Sequence, residues 1–191
     1  MTDPPPPTYH AGMRELQERF DTRALADRLD ERLGRRAFTA EDRAFIESRP
    51  LFFLASADNE GQPDCSYKGG DPGFVRVTAD DELAFPSYDG NGMFRSLGNV
   101  LANPRVGLLF LDFEKPRRLR VLGRARLEEP RGEFDGEQLV VRVQAEQIFP
   151  NCPRYLHRMT MVETSVYAPC PGHEPPEPAW KKSFKEVLPK R

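Results

Sequence analysis

The sequence predicts a mostly β protein, a small barrel of six to seven antiparallel strands with helices on its flanks. Two observations carry that reading. Between residues 51 and 149, short apolar or alternating runs recur, separated by brief turns rich in Gly, Pro, Asp and Asn. Helical spacing is confined to residues 13–48 and to one segment after residue 92. A chain of 191 residues has the length of one domain and can bury a sizeable core.

Along the chain, Pro4–Pro7 reads as an extended, solvated arm. Met13–Leu33 places Leu16, Phe20, Leu25, Leu29 and Leu33 at helical spacing, with Gly34 as a C-cap. "TAED" from Thr39 is an N-cap with acids in the first turn, opening a helix that runs to Ser48 before Pro50. Strands follow at 51–57, 64–69, 74–79 and 82–87. "DGNGMFRSLGNVLANP" (89–104) then turns into a helix. Met93, Phe94, Leu97, Val100 and Leu101 share one of its faces, and Arg95, Gly98, Asn99 and Ala102 the other. Further strands are read at 105–113 and 117–129. "EQLVVRVQAEQIF" (137–149) is ambiguous, and its β-branched alternation favours a strand. The organisation is therefore an arm and helix (1–37), a barrel (38–160) and a Pro-rich, irregular tail (161–191) that either wraps a neighbouring surface or is disordered.

Composition excludes several functions. The net charge of −2 argues against a binder that neutralises nucleic-acid phosphates. No run of 18 apolar residues is present, and the first residues carry no basic-then-apolar leader, so a soluble, cytoplasmic protein is expected. Three cysteines do not make a disulfide framework and suit a reducing compartment. Cys152, His157, Cys170 and His173 lack the spacing of a standard zinc site, so no metal is expected. No serine has a histidine near it in sequence, and no nucleophile–base pair stands out. A cofactor that brings its own reactivity fits better.

Three segments could bind such a cofactor. The glycines at 90, 92 and 98 fit neither the dinucleotide fingerprint nor a P-loop. Arg95, however, lies in the first turn of its helix, where the dipole disfavours a cation unless an anion is bound. An exposed arginine on a solvated face is the plain alternative. In "SYKGGDPGF", Lys68 ends a strand, and Gly69 and Gly70 let the backbone approach a flat ligand or form an ordinary tight turn. "FPNCPRYLHRM" gathers Asn151, Arg154, Tyr155 and His157 just after a strand.

The order of these pieces resembles the flavin-binding split-barrel family related to pyridoxamine 5′-phosphate oxidase, closest to its predicted flavin-nucleotide-binding branch. The residues that carry the resemblance are "PLFFLASADNEGQPDCSYKGG", "GFVRVTADDELAFPSYDGN", "RSLGNVLANPRVGLLFLDF", "RLRVLGRARL" and "FPNCPRYLHR", roughly residues 38–160. "NPRVGLLF" is the most specific of them.

The resemblance implies an FMN-binding split barrel, a homodimer with flavin at the subunit interface, and hydride transfer to a small-molecule substrate. The family's phosphate arginine falls on Arg95, with Ser96 where a lysine is usual and Asn99 on the same helix. A phosphate-binding lysine would fall near Thr78, for which Lys68 or Arg76 would substitute. Ser87, Asp89 and Asn91 match the loop beside the ribityl phosphate, and Asn151 and Tyr155 would come from the second subunit. The Arg-x-His pair of authentic oxidases is absent, so a different substrate is expected. Flavin storage without turnover, and a deazaflavin or haem in the same fold, are the alternatives.

Overall fold

A computed structural model describes residues 8–189; the proline arm at 4–7 lies outside the described residues. The elements in chain order are α1 (Ala11–Arg19), α2 (Arg23–Leu33), α3 (Ala40–Glu47), β1 (Leu51–Ala57), β2 (Pro63–Gly69), β3 (Arg76–Val77), β4 (Glu82–Ser87), α4 (Arg95–Ala102), β5 (Arg105–Asp112), β6 (Arg117–Glu128), β7 (Leu139–Asn151) and a 3₁₀ segment, Ala179–Val187.

The seven strands form one antiparallel sheet in the order β2-β1-β5-β6-β7-β4-β3. In a flat sheet β1 and β4, four spacings apart, would lie about 19 Å from each other. Instead the rings of Phe52 on β1 and Phe85 on β4 meet edge to face, with centroids 4.9 Å apart. The sheet therefore curls around one core, in which Phe52, Phe85 and Phe110 are almost fully buried. The long β6–β7 ladder bends at a bulge, its register shifting between Leu122 and Gly123. A side chain at Gly123 would bring Cβ within 2.1 Å of the Gln144 carbonyl oxygen, so only glycine fits there.

The flanking helices differ in how they are held. Thr39 caps α3 reciprocally: its hydroxyl accepts from Asp42 N at 3.1 Å, and its own N–H donates to Asp42 Oδ2 at 3.0 Å. Asp42 is buried and also receives both bonds of Arg35 Nη2, at 2.8 and 2.9 Å. The helix expected across 13–33 is two helices. Asp21 adopts φ 50°, a left-handed conformation that aspartate tolerates, and folds the segment into a hairpin. Neither α1 nor α2 buries a residue; Tyr9 Oη to Ala26 O and Arg14 to Asp27 tie the hairpin together.

Two other elements depart from expectation. The strand read at 74–79 shrinks to Arg76–Val77, because Phe74 and Val75 are both buried and so break the alternation. On α4 the helix begins only at Arg95, after an Asn91 side chain accepts from Met93 N and Phe94 turns left-handed at φ 47°. Its buried face is Ser96, Leu97 and Val100, while Met93, Phe94 and Leu101 are exposed. The ambiguous segment at 137–149 is a strand, as its alternation indicates. The tail is largely irregular but ends in the 3₁₀ segment.

Candidate functional site

A cavity of about 350 Å³ opens between the C-terminal ends of β2 and β4, beside α4. Its walls are aromatic: Tyr67, Phe74, Phe85, Tyr88 and Tyr167 all line it. Lys68, Gly69, Gly70, Ser87 and Asp89, each expected from the sequence, line it too. The glycines serve the walls rather than a ligand directly. A Cβ at Gly69 would strike the Tyr67 ring, and one at Gly70 the Phe74 ring, each at 2.6 Å.

Lys68 is the cation of this cavity. It makes no hydrogen bond or ion pair among the described residues, and burial pushes its ammonium below the usual lysine range, partly offset by the charge of Asp64. An unpaired, half-buried ammonium is costly to keep, which makes it a ready partner for an electron-rich ligand. Burial, with the charges of Asp135 and Asp71, pushes the Tyr88 phenol up to about 12 against the opposing pull of Arg76. Tyr88 is therefore a neutral hydroxyl, able to donate, across the physiological range.

A strap from the tail closes one side. Met161, Thr164, Ser165, Tyr167 and Ala168 line the cavity, although the chain between 152 and 178 forms no helix or strand. It is pinned where Met159 N donates to Phe113 O at 3.1 Å and where Lys181 Nζ meets Asp89 Oδ2 at 2.5 Å. His173 Nε2 lies 2.8 Å from Val166 O, within the tail itself. Gln138 donates to the other oxygen of Asp89.

The remaining expected residues sit elsewhere. Arg76 lies over the Phe134 ring and donates to Glu133 O. Asn91 forms its turn at the entry to α4, and Asn99 Nδ2 donates to Ser56 Oγ at 3.2 Å. Asn151 pairs with Arg118 across β6–β7, and Tyr155 is 88% exposed with φ 68°. Arg95 is mostly exposed, its Nε 4.0 Å from Asp64 Oδ1. Ser96 is buried and donates to Asp64 Oδ2 at 2.7 Å, with Ser66 Oγ 2.9 Å away.

Sequence reasoning missed Asp64 and singled out no residue of the strap. A signal for the first existed: Asp64, Ser66 and Lys68 alternate along β2 on the half-buried side, so a polar row faces inward. No comparable signal marks residues 161–168.

The family model for pyridoxamine 5′-phosphate oxidase matches residues 38–167, from just before α3 into the strap. The chain belongs to that family. Among solved structures, three similar chains are the following. A putative pyridoxamine 5′-phosphate oxidase from Lactobacillus delbrueckii is 20% identical, covering 60% of this chain and 95% of its own, with a TM-score of 0.49. An FMN-binding protein from Syntrophomonas wolfei is 14% identical over 72% and 97%, with a TM-score of 0.46. The haem storage protein HutZ from Vibrio cholerae is 19% identical over 57% and 91%, with a TM-score of 0.44. No curated protein matches the chain. The α1–α2 hairpin and the end of the tail lie outside the matched segment.

Among the described residues no helix is long and apolar enough to cross a membrane, and no group of three His, Cys, Asp or Glu side chains could hold a metal ion.

Proposed function

We propose that this member of the pyridoxamine 5′-phosphate oxidase family is a flavin-dependent oxidoreductase that takes FMN in the aromatic cavity. The observation that carries the reading is the lining: five aromatic rings around one unpaired, half-buried ammonium. That donor set suits a planar heterocycle with an electron-rich edge. No histidine or cysteine is among the lining residues, which favours a flavin over a haem held by an imidazole or thiolate.

A bound flavin supplies the redox chemistry, exchanging a hydride with a small-molecule substrate. The chain's own residues bind and orient it. Tyr67, Phe74 and Tyr167 present ring faces and edges, Lys68 supplies positive charge, and Tyr88 and Ser87 offer hydroxyl donors. The strap keeps water from one side. The Arg-x-His pair that the resemblance would lead one to expect is missing, which supports a substrate other than pyridoxamine 5′-phosphate.

The working unit in this reading is a homodimer in the cytoplasm. Tyr67, Phe53 and Leu109 form a cross-strand row on the outer face of β2, β1 and β5, with Leu122 of β6 diagonal to it, opposite Gly107, and Tyr67 also lines the cavity. A second copy seated on that row would border the cofactor. Free thiols at Cys65, Cys152 and Cys170 suit a reducing compartment.

Purified protein mixed with FMN is expected to stay yellow after desalting, and Lys68→Ala to weaken retention about tenfold while remaining folded. Failure of the wild type to retain FMN removes the reading. Stopped-flow mixing with NADH or NADPH then separates turnover, seen as bleaching and reoxidation, from storage, in which the bound flavin stays inert.

A further inference from the structure

The α1–α2 hairpin is packed inside out. Its seam is polar: Arg14 donates to Asp27 at 2.7 Å and to Gln17 at 2.9 Å, Tyr9 donates to Ala26 O at 2.9 Å, and Arg23 pairs with Glu18. The apolar side chains stay out of that seam. Met13, Leu16, Phe20, Leu25 and Leu29 are between 42% and 66% exposed. Among the described residues, no hydrogen bond, ion pair or ring contact joins residues 8–33 to the barrel. Helices this short, 9 and 11 residues, are marginal in water and owe their stability to packing. A pair that buries no residue against its own barrel takes that packing from another surface.

Spacing and charge identify the surface. Met13, Leu16 and Phe20 follow one another at three and four residues, and Leu25 and Leu29 at four, as along the seam of a helix bundle. Each helix is neutral: α1 carries two arginines and two glutamates, and α2 three arginines and three acids. Both signs are also left over. Arg19 and Arg32 have no ion-pair partner among the described residues, and neither have Glu15 and Asp30. A nucleic acid, an anionic lipid surface or a strongly charged protein would meet like charges here. A surface with the same mixture and the same apolar spacing complements it, and a second hairpin is such a surface.

We propose that the hairpin is an association element that seats against the hairpin of a second copy, closing a four-helix bundle over the five apolar side chains. The bundle needs no flavin and lies outside the segment that the family model matches. It is also separable from the row on the barrel face, none of whose residues it uses.

Sedimentation of the full-length protein tests it. Wild type is expected to associate, and a chain carrying both Leu16→Glu and Leu29→Glu to do so at least about tenfold more weakly, with the β signal in circular dichroism unchanged. Both leucines are exposed, so the barrel folds without them. A wild type that stays monomeric at about 100 μM, or a double variant that associates as tightly as wild type, overturns the proposal. Contact between the hairpins is read by Met13→Cys, Leu16→Cys, Phe20→Cys, Leu25→Cys and Leu29→Cys, one at a time, in a chain also carrying Cys65→Ser, Cys152→Ser and Cys170→Ser. Mild oxidation is expected to give a disulfide-linked dimer with at least one of them. Association without any such link would put the hairpin against a different surface and overturn the bundle.

Discussion

Arg142 shows how single side chains hold the barrel wall together. It stands directly across from Arg126 on the β6–β7 ladder, a like-charge pairing that would separate the strands if left alone. Three glutamates prevent that. Glu128, Glu133 and Glu82 lie 2.7, 2.5 and 3.7 Å from Arg142, and Arg126 shares Glu82 and Glu128. Arg142 is 12% exposed, so removing it strands acidic groups rather than merely losing a surface pair. Arg142→Met is expected to cost about 3 kcal/mol, measured by urea denaturation at neutral pH.

The acidic partners fix the sign of the pH dependence. Burial would raise the Glu82 carboxyl, but hydrogen bonds from Arg126 and Thr78 and the neighbouring arginine charges outweigh it and hold the group low. The hydrogen bond from Arg142 does most to lower Glu128. A depressed folded pKa stabilises above the unfolded carboxylate value of about 4.3 and is lost as pH falls through the folded value. The urea midpoint of wild type is therefore expected to fall below about pH 4.3, and that of Arg142→Met to fall less steeply. Parallel curves would remove these groups from the account.

At the scale of elements, the bulge at Gly123 is the most restrictive backbone position. Gly123→Ala would press a methyl against a ladder carbonyl, and is expected to cost about 2–3 kcal/mol by thermal or chemical unfolding. Wild-type stability in that variant would mean that β7 can shift. The same scale shows which elements are legible in sequence. Strands that keep one side in the core, such as β1, β5 and β6, announce themselves through alternation or apolar runs. The break between α1 and α2 does not, since one left-handed aspartate inside a continuous amphipathic pattern leaves no periodic trace. The late start of α4 is hidden for a similar reason. The turn at Asn91 and the conformation of Phe94 rotate the helix, so Ser96 goes inward and Leu101 outward.

Across the whole molecule, curling of the sheet brings the ends of β2 and β4 to one cavity, and the strap then crosses it. The lysine, the paired glycines and Ser87–Asp89 were readable because they lie in turns at strand ends, where polar groups and glycine stand out. Asp64 was not, because its meaning depends on Ser96, 32 residues away, being turned inward. The tail residues were not, because neither periodicity nor charge distinguishes a segment that packs on a surface from one that does not.

The strap also makes the cavity's state readable from outside. Arg154 and Arg158 are exposed in a stretch with no helix or strand, while the barrel offers trypsin mostly laddered backbone. Limited digestion is expected to cut first at these two arginines, leaving a core fragment of nearly constant size on a gel. Because Met161 and Tyr167 lie against the cavity, a ligand held there would fasten the segment and slow that first cut. Equal cleavage with and without saturating FMN would show that cavity and strap act independently. The same irregular segment that gave no sign in the sequence thus becomes a proteolytic gauge of what the barrel holds.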